Sequence, residues 1–252
     1  MHKIFAKPLF LGKKVVFLPQ CHSTNDELVS LAKKSVEPEG LVLYTDDQTK
    51  GRGQRGNVWL AEPGKNILMS LLLRPKWLAP NDQYYLNLIV GLAMLDMLKS
   101  HVNGELVLKW PNDVYLSEKK IAGILIENSM RGSVLESSVV GIGLNVNQKG
   151  FNLSSATSIY LETGKEQDRV EMMEQLLIYL EQWYLKLKSG SQVYILNEYH
   201  KSMMWRGELR TFKVNEEEFE GEILGIDSNG RLTINERDKL RNFGIKEVKF
   251  VR

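Results

Sequence analysis

The stretch Gly51-Arg52-Gly53-Gln54-Arg55-Gly56 decides which fold this chain can adopt. Its GxGxxG spacing is typical of a dinucleotide-binding fold only where the stretch follows a strand and opens a helix. Here it leads through Glu62-Pro63-Gly64 into a nearly continuous apolar run at Asn66–Arg74, which predicts a strand buried on both faces. No helix opens, so the dinucleotide-binding fold is excluded. Glycines and arginines in this arrangement instead favour a loop that closes over an anion.

The same stretch, extended to Val58, also matches the phosphate loop of protein kinases. A kinase would need HRD and DFG motifs downstream, and the chain has neither, since Asn242-Phe243-Gly244 lacks the metal-binding aspartate. A surface turn without a ligand remains the alternative to an anion-binding loop.

The composition is that of an ordinary globular protein, with room for one large domain or for one large and one small domain. The 252 residues are 43% hydrophobic and 25% charged, and the net charge of +2 excludes a polycation. A single cysteine, Cys21, excludes an intramolecular disulfide framework, and the four dispersed histidines give no zinc spacing. Because neither a secretory signal nor a membrane-spanning run is present, we expect a cytoplasmic protein with no membrane partner.

Periodicity along the chain predicts an α+β fold in which helices flank a mixed or antiparallel sheet. Early strands are predicted at Lys14–Leu18 and Leu41–Thr45. A helix is predicted from Ser23 to about Lys34, with Ser23 or Thr24 as N-cap and a capping box over Thr24–Glu27. Further strands are predicted near residues 106–109, 114–116, 120–128 and 134–146, and further helices at residues 81–102, 168–188 and 192–203.

After Trp205 the pattern changes to short strands with tight turns. These strands are predicted near residues 209–213, 219–226, 231–235 and 245–251, and Asn229-Gly230 is a strong hairpin signal. We therefore expect two domains, a catalytic domain at residues 1–205 and a small C-terminal β-barrel at residues 206–252.

A second polar segment is the turn Lys109-Trp110-Pro111-Asn112-Asp113. Pro111 cannot donate to a sheet ladder, so the strand before it ends there. The turn then presents an amide and a carboxylate beside a lysine, and Asp113 could hold a divalent cation through oxygen. A solvated turn aspartate is the alternative.

Two glycine-containing strands complete the set of candidate segments. Lys119-Lys120-Ile121-Ala122-Gly123 opens a buried-type strand on which the two lysines point to opposite faces. Gly123 would let a ligand lie against the strand. The segment Gly141-Ile142-Gly143-Leu144-Asn145 also has strand glycines that would leave room for a ligand, and Asn145 can both donate and accept a hydrogen bond. A glycine bulge is the alternative there.

Taken together, these segments resemble the biotin–protein ligases over essentially the whole chain. The motifs occur in the order found in that family: Ser23-Thr24-Asn25, Gln48, the glycine-arginine stretch, Lys109-Trp110-Pro111-Asn112-Asp113, Lys120-Ile121-Ala122-Gly123 and Gly141-Ile142-Gly143-Leu144-Asn145. The resemblance implies a catalytic domain like that of class II aminoacyl-tRNA synthetases and biotin ligases. It also implies a two-step reaction: biotin and ATP give biotinyl-adenylate and pyrophosphate, and a lysine of a biotin carboxyl carrier protein domain then takes the biotinyl group.

The resemblance assigns roles to the candidate residues. It implies that Lys120, Arg52 and Asp113 are catalytic and that Mg²⁺ binds at Asp113. The residues implied for biotin binding are Ser23, Thr24, Asn25, Gln48, Gly51, Arg52, Lys120 and Gly123. Those implied for nucleotide binding are Arg52, Arg55, Trp59, Lys109, Asn112 and Asn145. Because the biotin carboxylate is already ionised near neutral pH, its activation needs positioning and charge compensation rather than a general base.

Two features depart from the family pattern. Ser23 lies too near the start for the winged-helix repressor module that some members carry, so we expect no DNA regulation. Gln54 stands where many members have arginine, which removes one cation and bears on how tightly the adenylate is held. We expect a monomer or a weak homodimer.

The nearest alternatives are lipoate–protein ligase and octanoyl transferase, enzymes of similar fold. The transferase would need a nucleophilic cysteine or lysine, and Cys21 is poorly placed for that role. A non-enzymatic nucleic-acid-binding module is a distant alternative, because the basic residues are interleaved with glycines and buried-type strands.

Overall fold

The computed structural model describes residues 5, 7–34 and 36–251, and its largest element is a seven-stranded sheet. The strands are β1 (Val15–Cys21), β2 (Val42–Gln48), β3 (Ile67–Leu73), β4 (Leu106–Lys109), β5 (Asp113–Leu116), β6 (Lys119–Arg131) and β7 (Val134–Leu144). Their order across the sheet is β1-β2-β3-β7-β6-β5-β4. Strands β1 and β2 pair in parallel and the other neighbours pair antiparallel, so the predicted mixed sheet is confirmed.

The helices follow the predicted pattern with shifted ends. They are α1 (Thr24–Lys34), α2 (Tyr85–Leu98), α3 (Ile159–Thr163), α4 (Arg169–Lys188) and α5 (Gln192–Lys201). The segment predicted to begin α2 is instead a separate 3₁₀ turn at Pro80–Asp82, and α2 ends before the predicted Val102. Within the described part of the chain, no helix has both the length and the apolar character that a membrane crossing requires.

The sheet is covered on both faces. Leu72 of β3 packs against Leu28 of α1 in a small core, whereas its neighbours Leu71 and Leu73 lie in the main core with α2 and α4. Because successive strand residues point to opposite faces, α1 lies on one face and α2 and α4 lie on the other. All seven residues of β3 are buried, as the continuous apolar run predicted.

A second, five-stranded antiparallel sheet forms the C-terminal part. Its strands are β8 (Leu209–Val214), β9 (Glu217–Ile226), β10 (Leu232–Glu236), β11 (Lys239–Phe243) and β12 (Lys249–Phe250), in the order β11-β10-β9-β8-β12. The predicted turn at Asn229-Gly230 is confirmed, with φ of 72° at Gly230. The strand predicted at residues 245–251 is confirmed only at Lys249–Phe250, and β11, which comes before it, was not predicted.

The C-terminal sheet docks on the part of the chain that holds the large sheet through specific polar contacts. The indole Nε1 of Trp110 donates to the carbonyl of Gly230 at 3.1 Å, and the amide of Ile226 donates to Nε2 of His200 at 3.0 Å. Gly230 also lies directly against the ring of Tyr84, where an added Cβ would approach Cγ to 2.5 Å. These contacts place residues 245–250 near the end of the large sheet, while the exact boundary near Trp205 stays a prediction.

Candidate functional site

A cavity of about 530 Å³ lies between the large sheet, the glycine-arginine stretch and the C-terminal sheet. Most of the residues singled out from the sequence line it: Ser23, Thr24, Asn25, Gln48, Arg52, Trp59, Lys109, Asn112, Asp113, Lys120 and Gly123. They come from segments far apart in the chain, so the fold brings the separate sequence motifs to one place. We call the part around Ser23, Thr24, Asn25 and Gln48 the neutral end, and the part around Lys109, Asp113 and Lys120 the charged end.

The start of α1 forms the neutral end. Helix α1 begins at Thr24, and the amide of Glu27 donates to the carbonyl of Ser23 at 3.1 Å, so Ser23 is the N-cap residue. The amide of Thr24 donates to Oε1 of Gln48 at 2.8 Å. The predicted capping box over Thr24–Glu27 is wrong, because the Thr24 side chain is engaged by Gln48 and by a buried serine of β3.

That buried serine is Ser70, which sequence reasoning missed. Its Oγ lies 2.7 Å from Oγ1 of Thr24 and 2.6 Å from Oδ1 of Asn25. The Asn25 amide nitrogen in turn donates to Oε2 of Glu127 at 2.8 Å and to the carbonyl of Leu125 at 3.2 Å. A serine inside the otherwise apolar run of β3 was the available signal, since a buried hydroxyl needs a partner.

Lys120 and Asp113 form the centre of the charged end. The Lys120 ammonium lies 2.7 Å from Oδ1 of Asp113 and 5.5 Å from the centre of the Trp59 ring. Lys119 points away, with its side chain 53% exposed and its ammonium 3.8 Å from Glu162. The predicted opposite orientation of the two lysines is therefore confirmed.

A β-bulge aims Lys120 into the cavity. Tyr115 of β5 pairs with Lys120 and Val114 pairs with Ala122, which leaves Ile121 as an extra residue in β6. The extra residue shifts the alternation of the strand. Lys120 and Gly123 are three positions apart and would face opposite sides of a regular strand, but with the extra residue both line the cavity.

Asn112 and Lys109 are held at the edges of the charged end. The Asn112 amide donates to the carbonyl of Ile124 at 2.6 Å, which ties the turn to β6. The Lys109 ammonium lies 4.8 Å from the centre of the Phe250 ring and 5.5 Å from that of Tyr115. The aromatic faces attract the ammonium and hold it between the two sheets.

The glycine-arginine stretch closes over the cavity through Arg52. One Arg52 nitrogen, Nη2, lies 2.6 Å from Oδ1 of Asp26 and 2.9 Å from Oε2 of Glu127. Residues 54–56 form a 3₁₀ turn, and the side chain of Arg55 lies outside the described residues. Among the three glycines of the stretch, Gly56 has a positive φ of 85° and Gly53 is extended.

Gly51 has a different role from the one expected. An added Cβ at Gly51 would meet the carbonyl oxygen of Trp59 at 2.3 Å, and the Trp59 amide donates to the Gly51 carbonyl at 2.9 Å. Gly51 is buried and is not among the cavity-lining residues. The returning chain of the loop lies against Gly51 and keeps it out of the cavity lining, and its contact with biotin stays a prediction.

Trp59 occupies the space that we expected a ligand to take at the strand glycines. Gly123 and Gly143 are paired in register on β6 and β7, and the indole lies over both. An added Cβ would approach Cζ3 of the indole to 3.0 Å at Gly123 and Cε2 to 2.5 Å at Gly143. The glycines therefore make a slot for the indole, and the opposite face of the ring is the surface left for a ligand.

Asn145 lies beneath the cavity rather than in its wall. The side chain is 3% exposed, and its amide nitrogen donates to the carbonyl of Thr157 at 2.9 Å. Its Oδ1 has no hydrogen-bond partner among the described residues. The structure does not bring Asn145 to the cavity surface with the other candidate residues, although its oxygen is left available as an acceptor.

The C-terminal sheet supplies a wall that sequence reasoning missed. Ile245, Lys246, Val248, Lys249 and Phe250 line the cavity. Lys246 has a positive φ of 68°, and the Lys249 ammonium lies 3.5 Å from Glu216. No sequence motif marks this segment, so only the docking of the second sheet reveals it.

The donor set at Asp113 suits a metal ion that arrives with a nucleotide. Among the described residues, no three His, Cys, Asp or Glu side chains cluster in a way that could hold a metal ion. Magnesium commonly binds through one or two carboxylates plus phosphate oxygens and waters. A single carboxylate beside a cationic cavity fits that mode and does not fit a cage made by protein alone.

Known proteins are similar to this chain in sequence and in fold. Residues 17–145 match the model of the biotin/lipoate A/B protein ligase family. The biotin–[acetyl-CoA-carboxylase] ligase of Paracoccus denitrificans is 32% identical over 86% of this chain and 92% of that protein. The bifunctional ligase/repressor BirA of Bacillus spizizenii is 28% identical over 94% of this chain and 73% of that protein.

A solved structure agrees with these sequence matches. The biotin protein ligase from Aquifex aeolicus, in complex with biotin and ATP, superimposes with a TM-score of 0.80 and 31% identity. The match covers 95% of this chain and 99% of that one. The sheet, helices and C-terminal strands described above are therefore those of a known ligase fold, and this chain belongs to the biotin/lipoate A/B protein ligase family.

Proposed function

We propose that this protein is an ATP-dependent biotin–protein ligase. It activates biotin as biotinyl-5'-AMP and transfers the biotinyl group to a lysine of a biotin carboxyl carrier protein domain. The observation that carries the proposal is that one cavity joins a neutral end rich in fixed donors and acceptors to a charged end with Lys120 at its centre. The first suits a cyclic urea, and the second suits a carboxylate meeting a phosphate.

In the first step, a biotin carboxylate oxygen attacks the α-phosphorus of ATP and the bond to pyrophosphate breaks. The carboxylate needs no deprotonation near neutral pH, because carboxyl groups of this kind titrate around pH 4–5. The barrier comes from bringing one anion to another, which the Lys120 ammonium lowers by offsetting charge where the two meet. Trp59 presents the free face of its indole for the adenine ring.

Magnesium is proposed at Asp113, and when bound it would neutralise charge on the phosphate oxygens. The Lys120 ammonium lies 2.7 Å from the Asp113 carboxylate. When nucleotide and magnesium bind, Lys120 would turn to the phosphate and Asp113 to the metal ion. Asn112 and Lys109 line the same end and are proposed to contact the nucleotide. The buried Oδ1 of Asn145, which has no hydrogen-bond partner among the described residues, supports a contact with an exocyclic amine.

In the second step, the ε-amine of the carrier lysine attacks the acyl carbon of biotinyl-AMP, and AMP leaves. The amine must lose a proton before or during attack, and Asp113 is the carboxylate proposed to accept it. A cytoplasmic location, the lack of DNA binding and a monomeric or weakly dimeric state stay predictions.

Product analysis with two acids tests the proposal. The protein is incubated with ATP, magnesium and either biotin or lipoate, and pyrophosphate release is followed while the adenylate is identified by mass spectrometry. Biotinyl-AMP and pyrophosphate are expected with biotin, and neither product with lipoate. Lipoyl-AMP instead would establish the related lipoate ligase, and salt-dependent oligonucleotide binding without either product would favour a nucleic-acid-binding module.

A further inference from the structure

We propose that Ser70 is a positioning residue that turns the Thr24 hydroxyl proton away from the cavity, so that Thr24 presents an acceptor to a ring N–H of the substrate. The inference rests on the proposed function, since it concerns how the cyclic urea of biotin is recognised. Ser70 lies in β3, is fully buried and does not line the cavity itself. Its effect on a ligand must therefore pass through Thr24.

The orientation of the Asn25 amide is the first step of the argument. Its Nδ2 faces the Glu127 carboxylate at 2.8 Å and the Leu125 carbonyl at 3.2 Å, and both of these groups can only accept. The other amide atom, Oδ1, must consequently be the one at 2.6 Å from Ser70. An amide oxygen has no proton, so Ser70 has to donate in that contact.

The single proton of Ser70 then determines the second contact. Ser70 Oγ also lies 2.7 Å from Thr24 Oγ1, and its own proton is already directed to Asn25. Two hydroxyl oxygens at that distance repel unless one donates to the other. Thr24 must therefore donate to Ser70. The Thr24 oxygen can then only accept further hydrogen bonds.

Gln48 is the weaker competitor for the Thr24 proton. Its Oε1 accepts the Thr24 backbone amide at 2.8 Å, whereas the hydroxyl contact to the same oxygen is longer, at 3.2 Å. The same bond fixes the orientation of the Gln48 amide and leaves Nε2, a donor, as its other polar atom. Thr24 and Gln48 both line the cavity, so its neutral end offers an acceptor next to a donor.

This arrangement is complementary to a cyclic urea, which carries N–H donors on either side of a carbonyl acceptor. Without Ser70 the Thr24 hydroxyl keeps only the longer contact to Gln48 as an acceptor for its proton, so it can rotate and point that proton at the substrate N–H. The site would then lose both the directed acceptor and the partner of Asn25. Recognition of a ring N–H should weaken, while contacts to the rest of the substrate persist.

The test combines a variant with altered substrates, measured by isothermal titration. Ser70→Ala is expected to weaken biotin binding about tenfold, the usual order for one lost hydrogen bond in a binding site. The comparison ligands are the two lactam analogues in which one ring N–H of biotin at a time is replaced by CH₂. For the analogue that lacks the N–H facing Thr24, wild type and Ser70→Ala should bind with nearly equal affinity.

Ser138→Ala is the matched control. Ser138 is a fully buried serine on β7, the strand next to β3, and its Oγ has no hydrogen-bond partner in the described part of the chain. Its removal should leave biotin affinity unchanged. If Ser70→Ala fails to fold, Ser70→Cys replaces it, because a thiol keeps the shape but donates weakly.

Two results distinguish a failure of the positioning role from a failure of the proposed function. Equal weakening of biotin and of both analogues by the Ser70 variant would make Ser70 merely structural and would overturn the positioning role, while the ligase assignment stands. A wild-type protein that does not bind biotin would overturn the proposed function itself.

Discussion

The two ends of the cavity are built in different ways. At the neutral end, Thr24, Asn25 and Ser70 are buried and their hydrogen bonds hold each side chain in one orientation. At the charged end, Lys120 and Asp113 are partly exposed and are paired with each other. We therefore propose that the first end would recognise a neutral ring through side chains held in fixed orientations, and the second an anion through charges that change partners when it binds.

The largest effect is expected at the charged end, for Lys120→Ala. Loss of a charge that acts where carboxylate and phosphate meet should lower the rate of pyrophosphate release by about 10²–10³-fold. Lys119→Ala removes the same charge from the same turn, but Lys119 points to solvent and to Glu162, so it should be nearly silent. Thermal melts of both variants check that folding is intact.

The opposite result for the two lysine variants would contradict the role given to the charged end. If Lys119→Ala were the damaging change, the bulge that aims Lys120 would have been misjudged. If neither variant slowed pyrophosphate release, charge compensation would not limit the reaction.

A second variant displaces the aromatic wall between the two ends. Gly143→Ala puts a Cβ at 2.5 Å from Cε2 of Trp59, so the indole must move. Because small misplacements of binding groups cost about one to two orders of magnitude, we expect the KM for ATP to rise about tenfold. Gly150→Ala is the control, since nothing lies within 4 Å of its added Cβ. Equal KM values for the two variants would show that Trp59 does not contact the nucleotide.

The closed state of the glycine-arginine stretch can be loosened through Glu127. This carboxylate contacts both Arg52 and Asn25, so it joins the stretch to the neutral end. Partly exposed ion pairs contribute about 0–1 kcal/mol, so Glu127→Gln should raise tryptic cleavage at Arg52 by up to about fivefold. Biotin with ATP should slow cleavage in both proteins. Glu136→Gln, which removes a similarly exposed partner of Lys76, is the control; an equal increase there would deny Glu127 any special role.

The smallest effect is expected outside the cavity lining, where His200 holds the C-terminal sheet. Burial, with a contribution from Arg206, lowers the pKa of His200, and the neutral ring accepts the amide of Ile226. The stabilising contribution is complete above the ordinary histidine pKa of about 6.5 and is lost as the pH falls through the lowered pKa of the folded state. The loss should be about 1 kcal/mol, the usual net value of one hydrogen bond.

Thermal melts between neutral pH and about pH 5 measure this dependence. His200→Gln should flatten it, whereas His101→Gln, which alters a histidine held between Gln167 and Gln175, should not. If the pH dependence of stability were unchanged in His200→Gln, protonation of His200 would not control the docking of the C-terminal sheet.

Local signals predicted the fold well where neighbours in the chain decide the structure. Asp168 caps α4 through bonds from the amides of Val170 and Glu171, so the helix begins at Arg169, next to its predicted start at residue 168. Strand β11 was not predicted, because its turn uses Arg237 and Asp238 at positive φ, and the pair carries no glycine to mark a tight hairpin turn.

The site was predictable in its motifs but not in its contacts. The cavity collects the expected residues of both ends, yet Thr24 turns to Ser70 rather than to its own helix. Gly51 and Asn145 do not line the cavity, because Trp59 covers the first and Thr157 holds the second. Residues 245–250 were missed because their place depends on the docking of a distant sheet.

Titration with biotin in the absence of ATP, followed by ATP, tests the central claim most directly. A preformed neutral end should bind biotin in saturable fashion before any nucleotide is present, and ATP should then bind to that complex with further heat. Lipoate, which lacks a cyclic urea, should give no saturable heat. Binding of lipoate in place of biotin, or of neither acid, would contradict the account.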